Sequence, residues 1–358
     1  MANLRQAAAA AAGNKILGSF TFWIAAMVVL ATLLPPAGAF ANSLNLVSVA
    51  AIGLLFFMHG AKLSRRALLG GLSNWRLHLL VFFSTFVLFP ILGEAMRLLP
   101  RSLLSEETLR GFVYLCVLPA TVQSAIAFTS IAKGNVAAAV CSASASTLIG
   151  VVVSPMLASL MLSAQGETDP LDSILKVAAQ LLAPFFVGHM SRPLTGKWMA
   201  RRAKLVNVVD QSCILLIVYS AFGAAVNEGL WSRYPAGQLI AAMVFSCVLL
   251  AIVMSFNLFA SRALGFGRAD RVAIVFCSSK KSLANGVPMA NVLFPAAQVG
   301  PILLPLMIFH QIQLMVCGHL AQRWANSAPD DPGPGGEEAD ASGRGAKAAP
   351  ESASAKAG

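Results

Sequence analysis

The sequence predicts an all-α polytopic membrane protein, with ten transmembrane helices in two inverted five-helix repeats. Three observations carry this reading. Of 358 residues, 57% are hydrophobic and 11% charged, less than half the roughly 25% charge of soluble globular chains. The stretches 135–166, 234–261 and 282–322 contain no Asp, Glu, Lys or Arg. A hydrocarbon core about 30 Å thick takes roughly 20 apolar residues per helix, so each stretch has room for one or two crossings. Secreted disulfide scaffolds, cytosolic enzymes and disordered chains are excluded. The net charge of +11 does not indicate nucleic acid, because the basic residues sit in short loops between apolar runs rather than along one polar helix face. The six cysteines fall inside apolar segments without C-x-x-C spacing and read as small buried residues.

The first apolar run extends from Ile16 to Leu34 behind Arg5 and Lys15. It exceeds the roughly 7–15 residues of a cleaved signal, so it counts as a span although Ala39-Phe40-Ala41 resembles a signal-peptidase site. Further spans lie near 44–61, 75–99, 111–132, 135–163, 171–190, 206–227, 236–261, 271–293 and 299–323. With the amino terminus cytoplasmic, the cytoplasmic side collects Arg5, Lys15, Lys62, Arg65, Arg66, Arg76, Lys133, Arg192, Lys197, Arg201, Arg202, Lys204, Arg262, Arg268, Arg271 and Arg323. The opposite side holds Arg97, Arg101, Arg110, Lys176 and Arg233. Sixteen against five places both termini in the cytoplasm. The chain thus divides into an amino-terminal segment (1–15), a first repeat (16–163), a second repeat (171–324) and a tail (325–358). The tail has no aliphatic or aromatic residue larger than alanine beyond Asn326, so it is expected to be disordered. An odd number of spans per half inverts the second repeat, an organisation typical of secondary transporters.

Polar residues inside apolar spans mark the candidate site. Lys280 and Lys281 lie in the ninth span, flanked by Ser278, Ser279, Ser282 and Asn285, with Gly286 and Pro288 following. A charge at mid-membrane costs at least about 2.5–3.5 kcal/mol on insertion scales. Proline and glycine weaken the helix, so a break is expected here, lining a cavity. The corresponding part of the first half reads Leu118-Pro119-Ala120-Thr121-Val122-Gln123-Ser124, a second proline among polar residues. Paired interruptions in two halves point to a transporter's binding site. The bland readings are that both lysines snorkel to an interface, and that Ser142 and Ser144 of the fifth span permit close helix packing. His310 and Gln313 of the tenth span face either a cavity or a neighbouring helix. His59 and His78 read as interfacial, and Asp210 as a partner of the preceding basic loop. No hydrolase, zinc-protease or phosphate-loop motif is present, and no enzyme is expected.

These residues resemble the bile acid:sodium symporter superfamily, most closely the branch containing the seventh member of human solute carrier family ten and its bacterial relatives. The resemblance spans about Ile16 to Trp324. It rests on Cys277-Ser278, Lys281-Ser282-Leu283 and Gly286-Val287-Pro288, with Pro119, Val122, Ser124-Ala125, Gly134-Asn135, Arg76-Leu77-His78, His310 and Gln313. It implies a panel domain of spans 1, 2, 6 and 7 and a core domain of spans 3–5 and 8–10. It also implies fourth and ninth helices that unwind and cross at mid-membrane. Sodium-coupled members carry a glutamate and a glutamine in the ninth-span crossover and a glutamine in the third span. Here the crossover holds two lysines, and Val81-Phe82-Phe83-Ser84 has no glutamine. Two ammoniums would repel a sodium ion nearby, so the resemblance does not carry sodium binding with it; no other cofactor or metal is expected.

The expected function is secondary transport of a small organic anion across a bacterial-type plasma membrane. Helix amino termini at the crossover and Lys280 or Lys281 would hold the anion. Gln123, Ser124, Ser142, Ser144, Ser278, Ser279, Ser282, Asn285, His310 and Gln313 complete the candidate set, and one lysine would replace sodium's charge. The alternatives are a non-transporting membrane regulator and a cation or proton antiporter. The expected partners are the bilayer and the substrate anion.

Overall fold

The computed structural model describes residues 22–62, 74–98, 100–101, 103–162, 178–233 and 235–327. The start of the first expected span, the loop around Gly166 and the tail from 328 lie outside the described residues. In chain order the helices are α1 (Phe22–Leu33), α2 (Gly38–Lys62), α3 (Trp75–Met96), α4 (Glu106–Val117), α5 (Gln123–Ile131) and α6 (Val136–Leu162). They continue with α7 (Ala183–Arg201), α8 (Ala203–Asn227), α9 (Ala236–Ala263), α10 (Arg268–Ser278), α11 (Leu283–Leu293) and α12 (Ala296–Asn326).

Six of these, α2, α3, α6, α8, α9 and α12, are long and apolar enough to cross a membrane. The other expected crossings fall short for identifiable reasons. The fourth is split into α4 and α5, of 12 and 9 residues, and the ninth into α10 and α11, of 11 residues each. The first is described only from Phe22. The sixth is α7, which carries Arg192, Lys197 and Arg201, residues the sequence placed in a loop. Beyond the apolar run a helix tolerates charge, and the hydroxyls of Ser191 and Thr195 bond carbonyls one turn back.

The α2 and α7 helices approach until their main chains touch. A Cβ on Gly60 would overlap the carbonyl oxygen of Phe185, and one on Gly188 that of Phe57. Such small-residue contacts drive association where lipid is as apolar as the helix surface. Gly188→Val should therefore abolish the monodisperse peak in fluorescence-detected size exclusion. Gly53→Ala on the same α2, whose Cβ meets nothing within 4 Å, should leave that peak unchanged. The α1–α2 turn is clipped to α8: Tyr219 donates to the Leu34 carbonyl at 2.8 Å and Asn227 to that of Pro36 at 2.8 Å. Asp210 pairs with Lys62 (3.0 Å) and lies 3.6 Å from His59, not with the basic segment before α8. The α8 register turns Asp210 inward onto α2, while Arg201, Arg202 and Lys204 stay exposed.

Helices α2, α7 and α8 thus pack as one group, to which the end of α1 is tied through the Tyr219–Leu34 bond, and α3–α6 with α9–α12 as another. They meet where α8 lies on α11 and α12, with Gly300 allowing α12 to close on Ala225. Five cysteines are buried; Cys247, expected to be buried too, faces outward on the apolar α9.

Candidate functional site

Both interruptions have local causes. Helix α4 starts on a Ser105 cap, whose oxygen accepts from the Thr108 amide, with Glu106 and Glu107 in the first turn. It ends because Pro119 forces Leu118 into extended geometry, ψ 153°. Helix α10 ends where Ser278 and Ser279 bond back to the Ile274 and Val275 carbonyls, each at 2.6 Å, in competition with the backbone ladder. Helix α11 restarts on a Ser282 cap, whose oxygen accepts from the Asn285 amide at 3.2 Å. The ninth break therefore lies at Ser279–Ser282, around the two lysines as expected, whereas Gly286 and Pro288, expected to cause it, sit inside α11. Gly286 serves close packing instead: a Cβ there would lie 2.6 Å from Leu118 and Leu306, and its carbonyl accepts from the Tyr114 hydroxyl at 2.6 Å.

The two breaks touch through their backbones, the Ser282 amide donating to the Pro119 carbonyl at 2.9 Å. Lys281 sits at the contact with no exposed surface. Its ammonium donates to three main-chain carbonyls, Leu118 (2.7 Å), Cys116 (2.8 Å) and Thr85 (2.9 Å). These use all three donors of an ammonium, and hydrogen bonds to charged groups are worth about 1.5–3 kcal/mol each. The Phe89 ring lies 4.0 Å from the nitrogen, close enough for a cation–π contact.

Each of the three oxygens is available for a structural reason. Cys116 O would have received the Ala120 amide in a continuous helix, but that amide donates to Ser146 Oγ at 3.1 Å. Leu118 O lies within the break. Thr85 belongs to a π-turn, Ser84–Leu88, in which the Phe89 amide bonds Ser84 O, and residue 90 is a proline without an N–H. Two elements, the π-turn of α3 and the end of α4, thus present three orphaned carbonyls to one cation. Gln313 fixes the lysine's own backbone: its Oε1 accepts from the Lys281 amide (2.8 Å) and its Nε2 donates to the Lys281 carbonyl (2.9 Å). The same Nε2 lies 2.8 Å from His310 Nδ1. The Lys281 amide fixes the orientation of the glutamine, so His310 Nδ1 accepts and its proton is on Nε2.

Lys280 points elsewhere. It too has no exposed surface, which removes the snorkelling alternative for both lysines. Its nitrogen has no hydrogen-bond partner among the described residues and lies 4.4 Å and 5.4 Å from the ring centres of Phe128 and Phe276.

Of the other candidates, Ser282, His310 and Gln313 join this cluster. The Ser278 and Ser279 hydroxyls donate to carbonyls of their own helix, and Ser279 also meets the Cys317 thiol of α12. Asn285 is buried with an unpartnered Oδ1. Ser124 is buried against Thr121 at 2.6 Å, whereas Gln123 is exposed and reaches Asn207 of α8 at 3.3 Å, across the meeting line of the two helix groups. Ser142 bonds His78 at 2.6 Å. His78 is buried, and α6 supplies its partner. Ser144 is half-buried; on α6 it is Ser146 that reaches the break. Sequence reasoning missed Thr85, Cys116 and Leu118, which act through backbone oxygens. The signals available were Pro90 five residues after Thr85, and Pro119. Among the described residues no group of three or more His, Cys, Asp or Glu is placed to hold a metal ion.

An all-helical membrane chain whose interrupted helices meet around buried cationic side chains has the build of a secondary transporter. The SBF-like CPA transporter family model matches residues 18–326, and the chain belongs to that family, within the bile acid:sodium symporter superfamily. It is 54% identical over 310 residues to the Escherichia coli (strain K12) protein named "Putative symporter YfeH", covering 87% of this chain and 93% of that one. It is 52% identical over 313 residues to "Uncharacterized protein PA2026" of Pseudomonas aeruginosa, covering 87% and 94%. "Sodium/bile acid cotransporter 7" of Danio rerio is 28% identical over 303 residues, covering 83% and 90%.

Proposed function

We propose that this transporter moves a small organic anion by alternating access, with the Lys281 ammonium standing in place of a coupling sodium ion. The observation that carries the reading is the set of three orphaned carbonyls around Lys281 Nζ. Main-chain oxygens of unwound segments are the ligands with which transporters hold alkali cations. Here a tethered cation satisfies them, so no free ion is needed to join the two breaks.

The anion's seat is the amino termini of α5 and α11. No side chain caps the first turn of α5, which leaves backbone N–H groups to accept an anion beside Gln123 and Ser124. Asn285 lies in the first turn of α11. Lys281 directly precedes the Ser282 cap of α11, and its charge favours a negative ligand there. In this reading ten spans form two inverted five-helix halves, with α4/α5 and α10/α11 in matching positions. The protein resides in a bacterial-type cytoplasmic membrane with both termini in the cytoplasm. The group α1, α2, α7 and α8 is the panel against which the core moves.

The test is uptake into proteoliposomes of a panel of labelled anions: taurocholate, cholate, benzoate and succinate. At least one should accumulate, at a rate unchanged within twofold when sodium is replaced by N-methylglucamine. A steep sodium requirement would overturn the tethered-cation reading, and transport of none of the four would overturn the anion reading.

A further inference from the structure

Lys280 presents a separate problem. Adjacent residues in the break send their ammoniums in opposite directions: Lys281 towards α3 and α4, Lys280 towards Phe128 of α5 and Phe276 of α10. A fully buried ammonium without a hydrogen bond is strongly disfavoured, and two aromatic faces offset only part of that cost. Among the described residues, the titratable groups that interact electrostatically with it are Cys277 of α10 and Cys317 and His310 of α12. None is a carboxylate. Asp210, Asp270 and Glu94 make their contacts with Lys62 and His59, with Asn135 and with Arg97. The protein thus buries the Lys280 amine in its interior, and among the described residues no hydrogen-bond partner meets it.

We propose that Lys280 is the counter-charge of a small, weakly hydrated inorganic monoanion of the chloride class, held inside the helix group formed by α5, α10 and α12. Full burial restricts the ligand to a small ion. The surroundings also suit one that sheds its water readily: the Phe128 and Phe276 rings beside Lys280 Nζ are poor hosts for a strongly hydrated dianion such as sulfate. This site is distinct from the helix amino termini assigned to the organic anion, and it does not depend on which solute is carried. Its occupancy would neutralise Lys280 in the part of the core that must slide as a unit.

The experiment is thermal unfolding of the purified full-length protein at constant sodium and ionic strength, with gluconate exchanged for chloride, bromide, nitrate or sulfate. In the wild type, chloride, bromide and nitrate should raise the midpoint and saturate in the millimolar range, whereas sulfate should not. Lys280→Met should lose the response, and Lys280→Arg should retain part of it. A wild type indifferent to all four anions overturns the proposal, as does an unchanged chloride response in Lys280→Met. If Lys280→Met does not fold, a bromide-soaked wild-type crystal decides the matter. An anomalous peak in contact with Lys280 Nζ supports the site, and its absence overturns it.

Discussion

Lys281→Met should lower stability by about 3–5 kcal/mol, the cost of breaking a buried charged contact by removing one side, and should abolish uptake. Three carbonyls, of Thr85, Cys116 and Leu118, would be left buried and unpaired, at about 1–3 kcal/mol each. Relief of the ammonium's own desolvation offsets part of that sum. Lys281→Ala should behave differently, because it leaves the volume of the missing propylamine beside the carbonyls. Ammonium or methylammonium should then restore part of the lost unfolding midpoint in the alanine variant and none in the methionine variant. Equal responses of the two would show that the loss came from packing and not from a missing cation.

The second large effect is expected at Gly150. A Cβ there would overlap Pro119 Cβ and lie 2.8 Å from Pro119 Cγ. Pro119 O receives the Ser282 amide, and the neighbouring Ala120 amide is held by Ser146, one turn before Gly150 on α6. A methyl group would therefore push the fourth-segment break off α6 and pull apart its contact with the ninth. Overpacking of this kind costs about 1–3 kcal/mol, so Gly150→Ala should still fold but lose at least tenfold in uptake rate. Wild-type transport by that variant would show that the α6 contact does not position the crossover.

Much of the helix order was legible because hydrocarbon thickness and charge leave a coarse pattern that survives any packing detail. Trp75, Ala236 and Arg268 begin helices within a few residues of the expected positions. The two interruptions were legible for the same reason: Pro119 and the Lys280–Lys281 pair break the apolar pattern in both halves. What the breaks do was harder to see. The cradle of Lys281 is made of backbone oxygens, which every residue carries, so residue type could not single out Thr85 or Cys116. The π-turn that frees Thr85 O depends on the combination of a lengthened bond at Phe89 and a proline at 90, and periodicity does not show it. Gly286 and Pro288 looked like the cause of a break that the serines upstream actually make. The division of labour between two adjacent lysines was out of reach as well, because it depends on which way each side chain leaves an irregular backbone.

The central claim is that the Lys281 ammonium fills the place of an alkali cation at the crossing of the two breaks. The most direct test compares unfolding midpoints in sodium chloride and N-methylglucamine chloride for the wild type and Lys281→Ala. The account predicts equal midpoints for the wild type and a rise with sodium for the alanine variant alone, as the freed carbonyls take up the ion. A wild-type midpoint that climbs with sodium, or an alanine variant indifferent to it, would contradict the account.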